Sequence, residues 1–235
     1  VNIECWYGSI SLRFCHGGRA IDCAAKYAFG GGAWSWDAAI GVELIRCEAA
    51  RAFSGSSTGD GFNAHSITTD QALAKHTVAT MIDCWSHDNN DDGYSDHERC
   101  ETTIIGGLFE YNVKAGLTPA YGCHDTIYNA YCRKQVNSGI ALVGSATAAE
   151  GGRGSQIFVI GCICENNANN YYVSGDKSGK DENFGKFVNC ISLNGSKYGY
   201  LCGANARIEL NNCTDSGSPT AKSGNIVVNN AALVE

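Results

Sequence analysis

The chain has 235 residues, with 24 acidic and 17 basic side chains, a net charge of −7, 29 glycines and only 2 prolines. That balance excludes the clustered basic surface that nucleic-acid binding requires, so no nucleic-acid partner is expected. Apolar residues at 44% supply a long core rather than a disordered tract, and no run approaches the roughly 18 apolar residues that cross a bilayer.

The chain opens on Val1-Asn2-Ile3-Glu4-Cys5, which reads like the middle of a strand. No charged-then-apolar leader opens these residues. Residues 1–235 are expected to form a single domain that is a fragment of a longer chain. Further along, two landmarks alternate. One is a small residue inside an apolar strand, at Cys84, Gly107, Ala130, Cys162, Cys190 and Cys213. The other is a glycine before a large apolar residue, at Gly93-Tyr94, Gly116-Leu117, Gly139-Ile140 and Gly199-Tyr200. The first leads the second by nine residues, and the shortest return arc is 14, so one turn takes 23 residues. Cys5, Cys23 and Cys47 read as earlier members of the cysteine column.

A fixed period with a variable arc marks a solenoid. Side chains alternate across a strand, so Phe62, Tyr94, Leu117, Ile140, Tyr172 and Tyr200 form one inward column. Ile82, Ile105, Tyr128, Ile160 and Val188 are expected to form a second. Asn89, Asn112, Gln135 and Asn167 recur five places after the small residue, where amides can hydrogen-bond from rung to rung at about 4.8 Å. These features predict an all-β right-handed parallel β-helix, a single-stranded solenoid of about nine coils. Helices of 10–15 residues do not fit the arcs, which excludes a doubly wound α/β fold. The Leu-Asn framework of a leucine-rich repeat is absent, and an antiparallel sandwich would not keep the nine-residue spacing.

The 13 cysteines read as packing residues of a reduced chain, since small soft side chains suit a cramped inward column. Zinc is not expected: the nearest pair, Cys162 and Cys164, is too short for a CxxC motif.

Insertions after the glycine strand fall near 65–77, 144–154 and 174–183, and are expected to wall a groove on one side. The polar runs 58–65 and 90–98 occupy equivalent positions in successive coils there. They pair Asp60 with Asp92 just before the glycine, and His65 with His97 four places after it. Carboxylates about 5 Å apart suit glycoside hydrolysis, and a carboxylate beside an imidazole suits a lyase. Asp-Gly also simply shapes turns. Asp60, Asp92, His65 and His97 are the catalytic candidates, and Asp91, Asn63, Tyr94, Glu98, Tyr121, His124 and Lys134 the substrate-binding ones. Asp96 falls in an inward column. Asp91, Asp92 and Asp96 offer oxygens to calcium without a calcium-loop spacing, and no other cofactor is expected. Arg133 lies between Glu110 and Glu165 in a cross-strand charge ladder with His87, rather than on an anionic sugar.

Gly-Phe-Asn-Ala-His (61–65) followed by His-Asp-Asn-Asn-Asp-Asp-Gly-Tyr (87–94) resembles the pectate-lyase-like β-helix superfamily. The resemblance is to the active-site coils of mannuronan C5-epimerases and, more loosely, to phage tailspike depolymerases. His65 matches the catalytic histidine of the epimerases. Asn63 stands in place of their aspartate, Ala64 in place of their proline, and His97 in place of their second acid. The resemblance implies a carbohydrate-active protein with a polysaccharide partner. The first expectation is a tailspike-like depolymerase that cleaves a bacterial surface polysaccharide by hydrolysis or β-elimination. As a tailspike it would be a homotrimer of the virion tail, folded in the host cytoplasm; a secreted protein is the alternative location. The second expectation is a non-catalytic glycan-binding or structural fibre segment, and the third a uronan C5-epimerase.

Overall fold

The computed structural model describes residues 4–6, 9–53, 59–66, 77–144, 154–175, 182–230 and 232–233. Among these, every strand pairs in parallel and belongs to one of three sheets of ten, nine and nine strands. Each strand bonds to the strand three places along the chain, which is the signature of a helical stack of triangular coils. The fold is a parallel β-helix, as the period predicts. Face A runs from Glu4–Trp6 to Ala232–Leu233, face B from Ile10–Arg13 to Thr220–Ser223, and face C from His16–Ile21 to Ile226–Asn229.

The rungs align as the landmarks require. Trp85, Leu108, Tyr131, Ile163, Ile191 and Thr214 are successive partners on face A, which stacks the small residues just before them, Cys84 to Cys213. Cys23 and Cys47 continue that column. Cys5 does not: its backbone partners Ala25, two places beyond Cys23. All cysteines whose side chains are described are free thiols. Several donate to a carbonyl of the preceding coil, as Cys190 does to Val159 at 3.4 Å and Cys213 to Phe187 at 3.3 Å. The amide ladder also forms. Asn112 Oδ1 accepts from Asn89 Nδ2 at 2.8 Å, Gln135 Oε1 from the Asn112 N–H at 2.7 Å, and Asn167 Oδ1 from the Gln135 N–H at 2.8 Å. Buried corner amides thus satisfy backbone donors that the bend strips from the sheet.

Two expectations about the interior are corrected. Ile82, Ile105, Tyr128, Ile160 and Val188 face outward, with Ile105 39% and Tyr128 36% exposed. The inward column is one residue earlier: Leu44, Met81, Ile104, Ile127, Val159, Phe187 and Leu210. The cause is the bend before each small residue, where Asp83, Asn129, Asn189 and Asn212 take φ of 50–53° and Gly106 and Gly161 φ of 68° and 66°. A left-handed residue, tolerated by Gly, Asn and Asp, interrupts the two-residue alternation. The second correction is Tyr172. Tyr171, not Tyr172, partners Ile140 and Tyr200, and its ring stacks on Tyr200 at 4.8 Å inside the helix. This coil is one residue shorter, and Asn170 fills the corner.

Candidate functional site

The outer surface of face B carries a groove of about 540 Å³. Its floor is a set of register columns. One place before the glycine come Asp60, Asp92, Ala115, Ser138 and Asn169. Two places before it come Asp91, Lys114 and Asn137, and two places after it Ser95, Thr118, Ala141 and Tyr172. His97, Ala120, Tyr121 and Val143 form one side. Small residues at Ala115, Ala120 and Ala141 keep the surface concave. The expected insertions lie mostly outside the described residues.

Asp60, Asp91 and Asp92 meet at one end of this floor. All three are buried, and one carboxylate oxygen from each lies within 4.8 Å of the others. Asp60 Oδ1 accepts the Asp92 N–H at 3.1 Å, and its Oδ2 accepts from Asn63 Nδ2 at 2.7 Å. Asp92 Oδ1 accepts the Ala115 N–H at 2.8 Å. Lys114 Nζ sits 2.7 Å from Asp91 Oδ1 and 2.8 Å from its Oδ2. Burial, and then the Asp91 charge, raises Asp60 to about 7. Burial and the charges of Asp60 and Asp91 hold Asp92 well above the carboxylate range. Burial also raises Asp91, against the opposing pull of Lys114. Lys114 is therefore what favours an ionised Asp91 in a cluster that resists carrying three negative charges.

Beside the acids, His65 and His97 are Cα partners on adjacent rungs, outward as expected. His65 Nδ1 donates to Glu98 Oε2 at 2.9 Å, and His97 Nε2 shares a 2.7 Å hydrogen bond with Ser95 Oγ. Burial opposes a charge on His65, but the Glu98 bond and the nearby Asp37 and Asp60 outweigh it and raise its pKa. Burial and the His65 charge lower His97 to about 4. At neutral pH His97 is an uncharged imidazole that can accept a proton. Tyr121 lies with its ring 5.1 Å from that of His97, on the groove wall.

The other sequence candidates divide. Asn63 and Glu98 belong to the site as partners of Asp60 and His65. Tyr94 does not reach sugar: its ring lies wholly inside the helix against Trp36, with its hydroxyl donating to Asp125 at 3.2 Å. Lys134 is on the opposite side of the amide corner, donating to the Tyr111 hydroxyl at 2.8 Å. His124 does not line the groove; its Nε2 lies 3.4 Å from the Gly154 carbonyl. Asp96 points inward and cannot join Asp91 and Asp92 around a calcium ion; Asp60 is the third acid of that cluster. Arg133 bonds Glu110 at 2.8 Å, in the charge ladder. Sequence reasoning missed Lys114, Ser95, Thr118, Asn137 and Tyr172. Extending the registers two before and two after each glycine would have found all but Tyr172, which the shortened coil displaces.

No protein-family model and no curated protein matches the chain. Among solved structures it is similar to the A-module of the mannuronan C-5 epimerase AlgE6 of Azotobacter vinelandii, with a TM-score of 0.64 and 14% identity over 94% of this chain. It is also similar to the periplasmic alginate epimerase AlgG, with a TM-score of 0.50 and 11% identity over 99% of this chain. The chain spans 58% of the AlgE6 structure and 74% of the AlgG structure. At this identity the likeness establishes the parallel β-helix fold.

Proposed function

We propose that the face B groove is the active site of a carbohydrate-active β-helix that hydrolyses a glycosidic bond of a polysaccharide, in the manner of a tailspike depolymerase. The observation that carries this reading is the Asp60, Asp91 and Asp92 cluster, whose oxygens lie within 4.8 Å at the floor of a groove open to a chain-like ligand. Close carboxyl groups suit a retaining mechanism, in which one acid protonates the leaving oxygen and the other attacks the sugar. Asp92, held protonated by burial and its charged neighbours, is the proton donor. Asp91, ion-paired to Lys114, is the nucleophile. Its carboxylate forms a bond to the anomeric carbon as the glycosidic C–O bond breaks and Asp92 gives its proton to the departing oxygen. Water then releases the sugar from Asp91 while Asp92 takes back a proton. Asp60 positions Asp92 by accepting its N–H. Tyr121 and Tyr172 supply ring surfaces for sugar, a usual role for aromatic faces in polar grooves.

Among the described lining residues Lys114 is the only cation, and Asp91 occupies it. That favours a substrate neutral at the cleaved linkage over a polyuronate, whose carboxylates would need charge partners. A bacterial surface polysaccharide and a parallel homotrimer complete the tailspike reading.

One observation favours a rival. Neutral His97 beside Tyr121 could remove the proton next to a uronate carboxyl, the chemistry of a lyase or of an epimerase such as AlgE6. Incubation with capsular, O-antigen and uronate polysaccharides separates the readings. New reducing ends without unsaturated product support hydrolysis, and unsaturated uronate supports the lyase. Inverted uronate without cleavage supports the epimerase. Binding without any product leaves a glycan-binding module and overturns the enzymatic assignment.

A further inference from the structure

Behind the groove, inside the coil at the corner between faces B and C, two carboxyl and two thiol side chains collect. Asp96 is the penultimate residue of the face B strand Tyr94–His97, and Cys100 closes the link that follows it. Cys123 lies one coil further on, followed by Asp125. All four are at most 1% exposed. One ligand atom from each of Asp96, Cys100 and Cys123 lies within 4.8 Å of the others. Asp96 Oδ1 accepts a long 3.3 Å bond from the Ala120 N–H, and Asp96 Oδ2 has no hydrogen bond of good geometry among the described residues. The Asp125 carboxyl, the Tyr94 hydroxyl and the Cys123 thiol approach the group. A buried carboxylate oxygen without a donor costs several kcal/mol of lost hydration, a cost that either protonation of Asp96 or a cation between it and the two thiols relieves.

We propose that Asp96, Cys100 and Cys123 form a structural zinc site within the β-helix. Two thiolates are soft donors that select Zn²⁺ over Ca²⁺ or Mg²⁺, and a carboxylate, though a hard donor, is also a regular zinc ligand. Tetrahedral ligation with Zn–S near 2.3 Å and Zn–O near 2.0 Å needs donors roughly 3.3–3.8 Å apart, a contraction of about 1 Å from the observed bound. As the ion enters, the two thiols and the buried Asp96 carboxyl each release a proton to solvent and no electrons move. Asp125, whose Oδ1 accepts the Thr102 N–H at 2.9 Å and whose Oδ2 accepts from Tyr94, orients the Asp96 side of the site. The missing CxxC spacing is no obstacle, because a solenoid brings Cys100 and Cys123 together through one 23-residue coil. The site ties two successive rungs beneath His97, whose carbonyl accepts the Cys100 thiol at 2.9 Å.

The test is metal content of the full chain, purified after expression with added zinc and passed through gel filtration. The expected result is one zinc per chain, lost in a Cys100→Ser/Cys123→Ser variant. A Cys132→Ser/Cys164→Ser variant, which alters another stacked thiol pair without a carboxylate, should keep it. Refolding wild-type protein with Co²⁺ alone should give the intense near-ultraviolet thiolate band and the visible bands of a tetrahedral site, a readout that depends on no variant. Wild-type protein without stoichiometric zinc and without that cobalt spectrum overturns the proposal. So does zinc that survives the Cys100/Cys123 change. Neither result bears on the groove chemistry.

Discussion

The imidazoles of His65 and His97 stack on adjacent rungs with centroids 4.7 Å apart and planes 10° from parallel. Two imidazoles so close do not both carry a charge. The hydrogen bond to Glu98 favours the protonated form of His65, and the His65 charge then keeps a proton off His97.

Nitrogen-detected NMR titration should therefore show the pair separating. His65 should titrate above its ordinary 6.5, and His97 at about 4. The stability consequences have opposite signs. The raised His65 contributes below pH 6.5 and loses its contribution as pH rises through its folded value. The lowered His97 contributes above pH 6.5 and loses its contribution as pH falls towards 4. Glu98→Gln should bring His65 down and let His97 rise; two coincident titrations near 6.5 in the native protein would reject the assignment.

Asp91→Asn and Asp92→Asn should each cut polysaccharide cleavage by about 10²–10⁴ with unchanged unfolding curves. Activity should fall at alkaline pH as Asp92 loses its proton. Asp60→Asn removes a neighbouring negative charge, so this limb should move to lower pH while turnover survives. An unmoved limb would remove Asp60 from the proton balance.

Stability should also respond to Asp60. Its folded pKa is raised from 3.8 to about 7, so the ionised form is disfavoured in the native state. The contribution is fully present below pH 3.8 and lost as pH rises through 7. Urea midpoints across that range should slope downward in the wild type and more gently in Asp60→Asn.

The corner geometry makes a packing prediction. Ile104 is 1% exposed and Ile105 39%. Ile104→Ala should cost about 2–5 kcal/mol of unfolding free energy, and Ile105→Ala about 0.5 kcal/mol. Equal losses would contradict the bend at Gly106.

Removing one amide rung tests the ladder. Asn112→Leu strands the Asn89 N–H and removes one of the bonds of Asn89 Nδ2, both of which now go to Asn112 Oδ1, at about 1–3 kcal/mol for the unsatisfied N–H. Asn112→Gln, the residue found one rung on at Gln135, should recover part of the loss.

Much of this was legible because a solenoid repeats its own register. Cys84, Gly107, Ala130 and Cys162 give the axis, Asn89 to Asn167 the corner, and Asp60 with Asp92 and His65 with His97 the shared positions on face B. What escaped the sequence arose where the register breaks. The left-handed bends at Asp83 and Asn129 flip the side on which Ile82 and Tyr128 emerge, and one lost residue turns Tyr172 out and Tyr171 in. Lys114 escaped for a different reason. Its importance comes from Asp91 on the neighbouring rung, one 23-residue period earlier, and shows only when the column two places before each glycine is followed.

Between faces C and A two residues always connect the described strands, as Asp83-Cys84 and Asn129-Ala130 do, whereas from face A to face B the link ranges from three residues (166–168) to 11 (51–61), and from face B to face C from two (38–39) to 13 (143–155). Length therefore changes on two edges of the prism, while the edge between faces C and A keeps its two-residue spine. Ligand preference can be rewritten by exchanging those arcs, coil by coil, while the scaffold beneath them keeps its folding instructions.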